Sequence, residues 1–326
     1  MKNKNINILV TGIGGDIGIG IVKILNELKY HKTLVGCDIN EYPANKLDVD
    51  LFYVSPRADN RDQYLSFIKL ICINHDISLI IPSSEIEIKV LNENKLYFGD
   101  KVKVLINHNK IINTFMDKLQ TIDFLKKNGI NHPKTYDIKE FSNQLNYPFL
   151  LKERFSRGSK GVVRIEDNDD FIYYKKKFPN SIIQEIVGDN EHEYTITIFS
   201  DGQNIYNIAF QRILGYGSLS KFVRRVSDPK IDDLAIRIAN LINLKGSINV
   251  QVRKNADGEY LPFEINPRLS STLAFRHYFG FKDLKWWVDL ICYGSCLEIT
   301  PKYFNGIGVK TVSEVYFDME EPIDED

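Results

Sequence analysis

Strand-like and helix-like segments alternate through the first third of the chain, and this alternation limits the possible folds more than any other feature. Short apolar runs are separated by longer segments in which apolar residues recur at helical spacing. The strand-like runs are INILV, TLVGCD, LFYVS, SLIIPS and VKVLI, and the helix-like segments are GIGIVKILNELKY, RDQYLSFIKLICINH and EIEIKVLNENKLYF. This order is typical of a parallel sheet with helices on both faces. We predict an α/β domain over residues 1–107.

The turn after the first strand is rich in glycine and raises the question of which ligand it serves. Residues 9–22 read LVTGIGGDIGIGIV, and Asp38 ends the next strand-like run. Glycines that admit a pyrophosphate and an acidic residue that binds a ribose are typical of dinucleotide-binding enzymes. The matching catalytic set, Ser159, Tyr173 and Lys177, uses a Tyr-x-x-x-Lys pattern that recurs in a chain with 17 tyrosines. An NAD(P)-dependent short-chain dehydrogenase or epimerase is therefore the alternative hypothesis.

Composition and charge favour a cytoplasmic protein that binds small molecules. The chain has 326 residues, of which 43% are hydrophobic and 26% are charged, with a net charge of -1. A protein whose main partner is nucleic acid or an anionic membrane needs a basic excess, so neither partner is expected. Of the four cysteines only Cys292 and Cys296 are close together, with no second pair, and the six histidines are scattered, which argues against a zinc site. No apolar run approaches the length of a membrane span.

After residue 107 the pattern changes, first to a helical stretch and then to antiparallel strands. The helical stretch NKIINTFMDKLQTIDFLKKNG ends at Gly129. Strand-like runs such as FLLKERF, GVVRIE and YTITIFSDG follow, with few helices between them. We predict a two-lobed α+β domain whose first lobe, with its linker helix, covers residues 108–185 and whose second lobe covers 186–316. An acidic tail, 317–326, completes the chain.

The most informative segment is GSINVQVRKNADGEYLPFEINPRLSS, residues 246–271. Two strands flank a turn that contains Asp-Gly, a strong hairpin signal. A two-residue loop would place Gln251 opposite Glu264, and a four-residue loop would place it opposite Pro262. In both registers Gln251, Glu264 and Asn266 share one face of the hairpin. Oxygen ligands on one face, with Arg268 just beyond, suit Mg²⁺ bound to phosphates, although a hairpin with a polar outer face has the same pattern.

Two further segments have the composition of a nucleotide site. Residues 147–166 place Lys152 on a strand before the glycine-containing loop SRGSKG, which suits phosphate oxygens but also describes an exposed basic hairpin. Residues 181–199 end an apolar strand at QEIV and then supply Glu193. Backbone groups there suit the edge of an adenine, and the Glu193 carboxylate suits the hydroxyls of a ribose. A solvated acidic hairpin has the same composition.

Taken in order, these segments resemble the ATP-grasp superfamily, in particular its carbamoyl-phosphate-synthase-like branch of ligases. The resemblance covers nearly the whole chain, and NVQ…FEINPRLS is its most specific part. It implies a Rossmann-like pre-ATP-grasp domain followed by a two-lobed ATP-grasp domain. The implied nucleotide contacts are Lys118, Lys152, Gly158, Ser159, Gly161, Glu185, Val187 and Glu193, and the implied metal ligands are Gln251, Glu264 and Asn266.

The resemblance implies an ATP-dependent ligase that uses ATP and Mg²⁺ or Mn²⁺. A carboxylate would attack the γ-phosphate, and an amine or ammonia would displace phosphate from the acylphosphate to give an amide. Arg268 and Lys152 would act on the phosphates, and Arg212 and Lys221 would face an anionic acceptor. A nucleotide-binding protein without catalysis is a third hypothesis, which the complete set of Gln251, Glu264, Asn266 and Arg268 disfavours.

Three questions stay open at the level of sequence. The substrates are not specified, and the role of the glycine-rich turn is undecided. Arg276 and His277 are either structural residues or part of a substrate wall. The helix-like segment KDLKWWVDLICYG, with both tryptophans, is either buried core or the interface of a homodimer.

Overall fold

The computed structural model describes residues 6–29, 31–156, 161–189, 192–215, 220–295, 299–311 and 313–317. Gly158 and Ser159, two predicted phosphate contacts, lie outside the described residues.

The first region is a five-stranded parallel sheet in the order β3-β2-β1-β4-β5. Side chains alternate between its faces, so Ile8 and Val10 pack with α1 while Leu9 packs with α2 and α3. The predicted parallel sheet with helices on both faces is confirmed. Its elements are β1 (Ile6–Thr11), α1 (Asp16–Leu28), β2 (His31–Asp38), β3 (Leu51–Val54), α2 (Arg61–Asn74), β4 (Leu79–Pro82), α3 (Glu85–Glu93) and β5 (Lys103–Val104).

A four-stranded antiparallel sheet in the order β6-β9-β7-β8 forms the next region. The helical stretch before it is two helices, because Asp117 caps a new helix by accepting a hydrogen bond from the Leu119 amide at 2.9 Å. The elements are α4 (Asn109–Phe115), α5 (Lys118–Lys127), β6 (Thr135–Asp137), β7 (Phe149–Glu153), β8 (Val162–Ile165), α6 (Asn168–Lys177) and β9 (Ser181–Gln184).

The last region is a six-stranded antiparallel sheet in the order β14-β13-β10-β11-β12-β15. Its antiparallel pairing confirms the predicted α+β character of the second half. The elements are β10 (Glu193–Ser200), β11 (Ile205–Leu214), β12 (Ser220–Val226), α7 (Pro229–Leu241), β13 (Gly246–Lys254), β14 (Tyr260–Asn266), α8 (Leu273–Tyr278), α9 (Asp283–Tyr293) and β15 (Ile307–Val309).

One hydrophobic core joins the parallel sheet to the six-stranded sheet. Ile8 of β1 and Ile21 of α1 pack in the same cluster as Phe199 of β10 and Trp287 of α9. Both tryptophans are buried, so the KDLKWWVDLICYG helix contributes to the core. None of the described helices is long and apolar enough to cross a membrane. The domain boundaries at 107/108, 185/186 and 316/317 stay predictions.

Candidate active site

The β13–β14 hairpin brings the three predicted metal ligands to one face. Gln251 pairs with Glu264, as a two-residue loop would predict, but the loop has five residues, 255–259. The register agrees because β14 carries a bulge: Pro262 pairs with Val252, so Phe263 is an extra residue before Glu264. The bulge therefore restores the pairing that a shorter loop would have given.

Asn249 is a fourth polar residue on this face, and the sequence analysis did not single it out. It pairs with Asn266 across the hairpin, two residues before Gln251. The Thr195 hydroxyl donates to Asn249 Oδ1 at 2.7 Å, which orients the amide. Asn249 lines the cleft and is only 1% exposed, and its Nδ2 has no hydrogen-bond partner among the described residues. The sequence could have predicted this position, because Asn249 lies two residues before Gln251 in NVQ and every second side chain of a strand lies on the same face.

Arg268 follows β14 and links the hairpin to the parallel-sheet region. Its Nε and Nη2 donate to Glu85 Oε1 at 3.0 and 2.6 Å, and Nη2 also donates to Asn266 Oδ1 at 3.2 Å. Glu85 is the first residue of α3. The guanidinium thus lines the cleft beside a predicted metal ligand, held by a carboxylate from another region.

Two predicted lysines enter the cleft from the four-stranded region. Lys118 Nζ donates to the backbone oxygen of Ser156 at 2.6 Å, beside the undescribed residues of the glycine loop. Lys152 Nζ donates to Gln184 Oε1 at 2.6 Å and lies over the Phe263 ring. Burial lowers the pKa of Lys152 to about 8, against the opposing attraction of Glu264. Both ammonium groups can replace these oxygen acceptors with phosphate oxygens when a nucleotide binds.

Gly161, where the glycine loop enters β8, needs its glycine. Its φ is +71°, and a Cβ there would lie 2.2 Å from Glu153 Oε2. The Glu153 amide donates to the Gly161 carbonyl at 2.9 Å and closes the base of the loop. Gly161 is thus required for the turn geometry, whatever the loop binds.

The segment after β9 lines the same cleft. Glu185 and Val187 both face the cleft, and the Glu185 carboxylate accepts a hydrogen bond from the Lys134 amide at 2.6 Å. Glu193 is 5% exposed and is held by two arginines: its Oε1 accepts from Arg212 at 2.6 Å and its Oε2 from Arg253 at 2.6 Å. The predicted ribose residue and the predicted acceptor residue Arg212 therefore form one buried ion pair.

Lys221 and Arg276 do not join these residues. Lys221 lies on β12 with an exposed side chain and does not line the cleft. Arg276 is 0% exposed, pairs with Asp283 at 2.8 Å and donates to the hydroxyl of Ser270. Arg276 is thus held inside the protein by a buried ion pair, and its partner Ser270 lines the cleft.

The glycine-rich turn of the parallel sheet borders the far end of the cleft, with its loop amides occupied. The Gly14 amide donates to Asp38 Oδ2 at 2.8 Å, and the Gly15 amide donates to the Gly12 carbonyl. Asp38 Oδ1 accepts from the Asn40 amide at 2.9 Å. Tyr173, needed by the dehydrogenase hypothesis, is 59% exposed on α6 and does not line the cleft.

The cleft has a volume of about 1140 Å³ and a donor set suited to a phosphate-bound cation. Gln251 and Glu264 make no hydrogen bond to another described side chain, so their oxygens are free to coordinate. No three His, Cys, Asp or Glu in the described ranges form a metal site on their own. One carboxylate and two amide oxygens fit Mg²⁺ when phosphates and water complete its shell.

Part of the chain is similar to proteins of a known family. Residues 115–272 match the family model of the ATP-grasp domain. The chain is 27% identical over 180 residues to coenzyme gamma-F420-2:alpha-L-glutamate ligase of Methanococcus maripaludis, covering 49% of this chain and 61% of that protein. It is 26% identical over 182 residues to the carbamoyl phosphate synthase large chain of Clostridium beijerinckii, covering 49% and 17%. The matches therefore span less than two thirds of these relatives.

The same fold is found in solved structures at low sequence identity. The biotin carboxylase domain of Hydrogenobacter thermophilus 2-oxoglutarate carboxylase, crystallised with MgADP, ADP and bicarbonate, superposes with a TM-score of 0.73 at 16% identity. The match covers 93% of this chain and 74% of that one, so the fold extends beyond the matched domain. Residues 115–272, about half of the chain, thus resemble the ATP-grasp domain in sequence, and the chain as a whole shares the fold of these solved structures.

Proposed function

We propose that this protein is an ATP-dependent ligase that joins a carboxylate to an amine or ammonia and releases ADP and phosphate. The observation that carries the proposal is the convergence of Glu264, Asn266 and Arg268 with Lys118 and Lys152 on one cleft. The relatives named above include a glutamate ligase, which supports carbon–nitrogen bond formation.

Each side chain has a role that follows from its position. Lys118 and Lys152 bind the phosphates of ATP as ammonium groups placed on rigid elements. Glu185 and Val187 line the slot for the adenine, and Glu193 lies next to it for the ribose. Gln251, Glu264 and Asn266 hold Mg²⁺ or Mn²⁺, which neutralises charge on the transferred phosphate when it is bound.

The reaction needs positioning and charge neutralisation more than a nucleophilic side chain. A carboxylate oxygen of the acid attacks the γ-phosphorus, and ADP leaves with the electrons of the broken bond. The amine nitrogen then attacks the acyl carbon, loses a proton, and phosphate leaves. Arg268 and Lys152 orient the phosphate through both steps. An anionic acceptor, a homodimer and a cytoplasmic location stay predictions beside this proposal.

The test is release of phosphate from ATP across panels of acids and amines. We expect ADP and phosphate to form in equal amounts only when an acid and an amine are both present, with an amide as the third product. Phosphate release that never responds to either panel would contradict the ligase. A change in NAD(P)H absorbance with an alcohol or nucleotide sugar would instead support the dehydrogenase hypothesis.

A further inference from the structure

A second cavity, of about 690 Å³, is separate from the ATP cleft. It is bordered by α1, α8, the beginning of α9 and residues 300–304. Its lining shares no residue with the lining of the ATP cleft. A cavity of this size accommodates a metabolite.

The charges around this second cavity are mainly positive. Four lysines and two carboxylates line it, which leaves an excess of two positive charges. Lys285 is paired with Asp289 at 2.6 Å. Lys23, Lys282 and Lys302 form no ion pair within the described part of the chain. Three ammonium groups without a partner, directed at one concave surface, favour an anion.

His277 adds a buried polar group to the wall of this cavity. It is 4% exposed, and neither ring nitrogen has a hydrogen-bond partner among the described residues. Its Nε2 lies 3.4 Å from Glu27 Oε1, a long contact with an exposed carboxylate that an anion in the cavity would have to replace. Burial lowers the pKa of His277, which favours the neutral ring, and a neutral imidazole offers one donor and one acceptor. Leaving both unused is costly, and a ligand in the cavity would use them.

The remaining wall is aromatic. Trp286, Phe304 and Tyr278 line the cavity, and the rings of Tyr278 and Phe304 meet edge to face at 6.1 Å. Phe304 is 49% exposed and Tyr278 is 74% exposed. Exposed rings beside lysines suit a ligand with an organic skeleton as well as anionic groups.

We propose that this cavity binds a small organic polyanion, with its phosphate or carboxylate groups on Lys23, Lys282, Lys302 and His277 and its skeleton against Phe304 and Trp286. The site is separate from the ATP cleft, so binding there does not depend on the proposed ligase reaction.

Tryptophan fluorescence tests this proposal, because the only two tryptophans of the chain are Trp286 and Trp287. The full chain is titrated, without nucleotide or magnesium, with phenyl phosphate, pyrophosphate and citrate, and with phenol as the uncharged control. We expect a saturable change with at least one of the three anions and none with phenol. A response to the two phosphates alone identifies phosphate chemistry, and a response to citrate identifies carboxylates.

The decisive comparison uses two double variants that remove the same charge. Lys23→Ala/Lys302→Ala should weaken binding by at least about tenfold, because two charge-assisted contacts are lost. Lys139→Ala/Lys176→Ala, two exposed lysines outside both cavities, should leave the midpoint unchanged. The proposal is overturned if no anion gives a saturable change, or if both double variants bind as the unmodified chain does.

Discussion

Two walls of the ATP cleft are rich in polar groups. In one wall these groups bond to one another, and in the other wall several have no partner among the described residues. The N-terminal wall consists of the glycine turn 12–15 with Asp38, and its loop amides and carboxylate oxygens bond to one another. The hairpin wall consists of Asn249, Gln251, Glu264 and Asn266. There Asn249 Nδ2 is buried with no partner in the described chain, and the Glu264 carboxylate has no ion pair.

This difference in hydrogen bonding indicates which polar groups are free to contact a ligand. Directly behind the N-terminal wall, Gly18 of α1 serves packing, since a Cβ there would lie 2.3 Å from the Gly12 carbonyl oxygen. A dinucleotide would have to displace Asp38 from the Gly14 amide, at the cost of a charge-assisted hydrogen bond. Buried donors and acceptors are normally satisfied, so we infer that the open Asn249 amide of the hairpin wall contacts a ligand.

The largest effect is expected from Glu264→Ala, which removes the carboxylate of the hairpin wall. We expect ATP turnover to fall at least about 100-fold, because even partners of metal ligands contribute up to that much. The thermal midpoint should hardly change, since Glu264 makes no internal ion pair among the described residues. Phosphate release and thermal unfolding are measured on the same sample.

Glu259→Ala is the matched control for this variant. Glu259 is a carboxylate on the turn of the same hairpin, exposed and outside the cleft. Its loss should leave turnover unchanged. Near-normal turnover in a folded Glu264→Ala protein would refute the metal assignment.

The second prediction concerns the N-terminal wall, where Gly18→Ala should affect stability. The added methyl would contact the Gly12 and Ile13 backbones at 2.3 to 2.7 Å, so the helix must shift away from the strand. Overpacking of this kind costs about 1–3 kcal/mol. Gly15→Ala is the control, because its Cβ would meet only the Gly12 carbonyl at 3.5 Å. A stable Gly18→Ala variant with lost nucleotide binding would reverse our assignment of roles to the two walls.

The sequence predicted the hairpin wall better than the N-terminal wall, for a physical reason. Strand periodicity fixes the face of each side chain, so Gln251, Glu264 and Asn266 were expected together, and they are. These three side chains share a face although the hairpin loop is longer than either predicted length. The bulge at Phe263 adds one residue to β14, which returns Glu264 to its predicted place opposite Gln251. A glycine pattern carries no such constraint, since it fits a pyrophosphate and a tight helix–strand contact equally well.

Contacts between side chains that are far apart in the chain could not be predicted from the sequence. Glu85 and Arg268 are 183 residues apart, and nothing local indicates that they meet. Lys221 is the extra residue at an irregularity in the pairing of β12 with β11, which composition does not encode. Asn249 could have been found, because it lies two residues before Gln251 on the same face.

The third prediction sharpens the role of the open amide in the hairpin wall. Asn249→Ala should reduce turnover on the order of 30-fold if Nδ2 donates to a charged oxygen of the substrate. Thr195→Val should give a smaller loss, because the amide loses the hydroxyl that orients it. Thr195→Ser keeps that hydroxyl and should restore the rate. Equal rates for Thr195→Val and Thr195→Ser would mean that the orientation of Asn249 is unimportant.

The smallest predicted effect is a pH dependence of stability and of ATP affinity, which comes from Lys152 in the cleft. The pKa of Lys152 is about 8 in the folded chain and 10.5 for an ordinary lysine, so raising the pH from 8 to 9 removes its proton only in the folded state. Stability should rise slightly with pH in this window, while affinity for ATP should fall about fivefold between pH 8 and pH 9. Burial raises the pKa of Cys37 and Tyr64 in the N-terminal region, so these groups stay neutral there.

Lys152→Arg separates this titration from other effects of alkaline pH. A guanidinium stays charged at pH 9, so ATP affinity of the variant should not change between pH 8 and 9, whatever its absolute value. Calorimetric titration with ATP at both pH values, with unfolding curves beside it, measures affinity and stability separately. Opposite changes in the two quantities assign the proton to Lys152, whereas a parallel loss in both proteins would place it elsewhere.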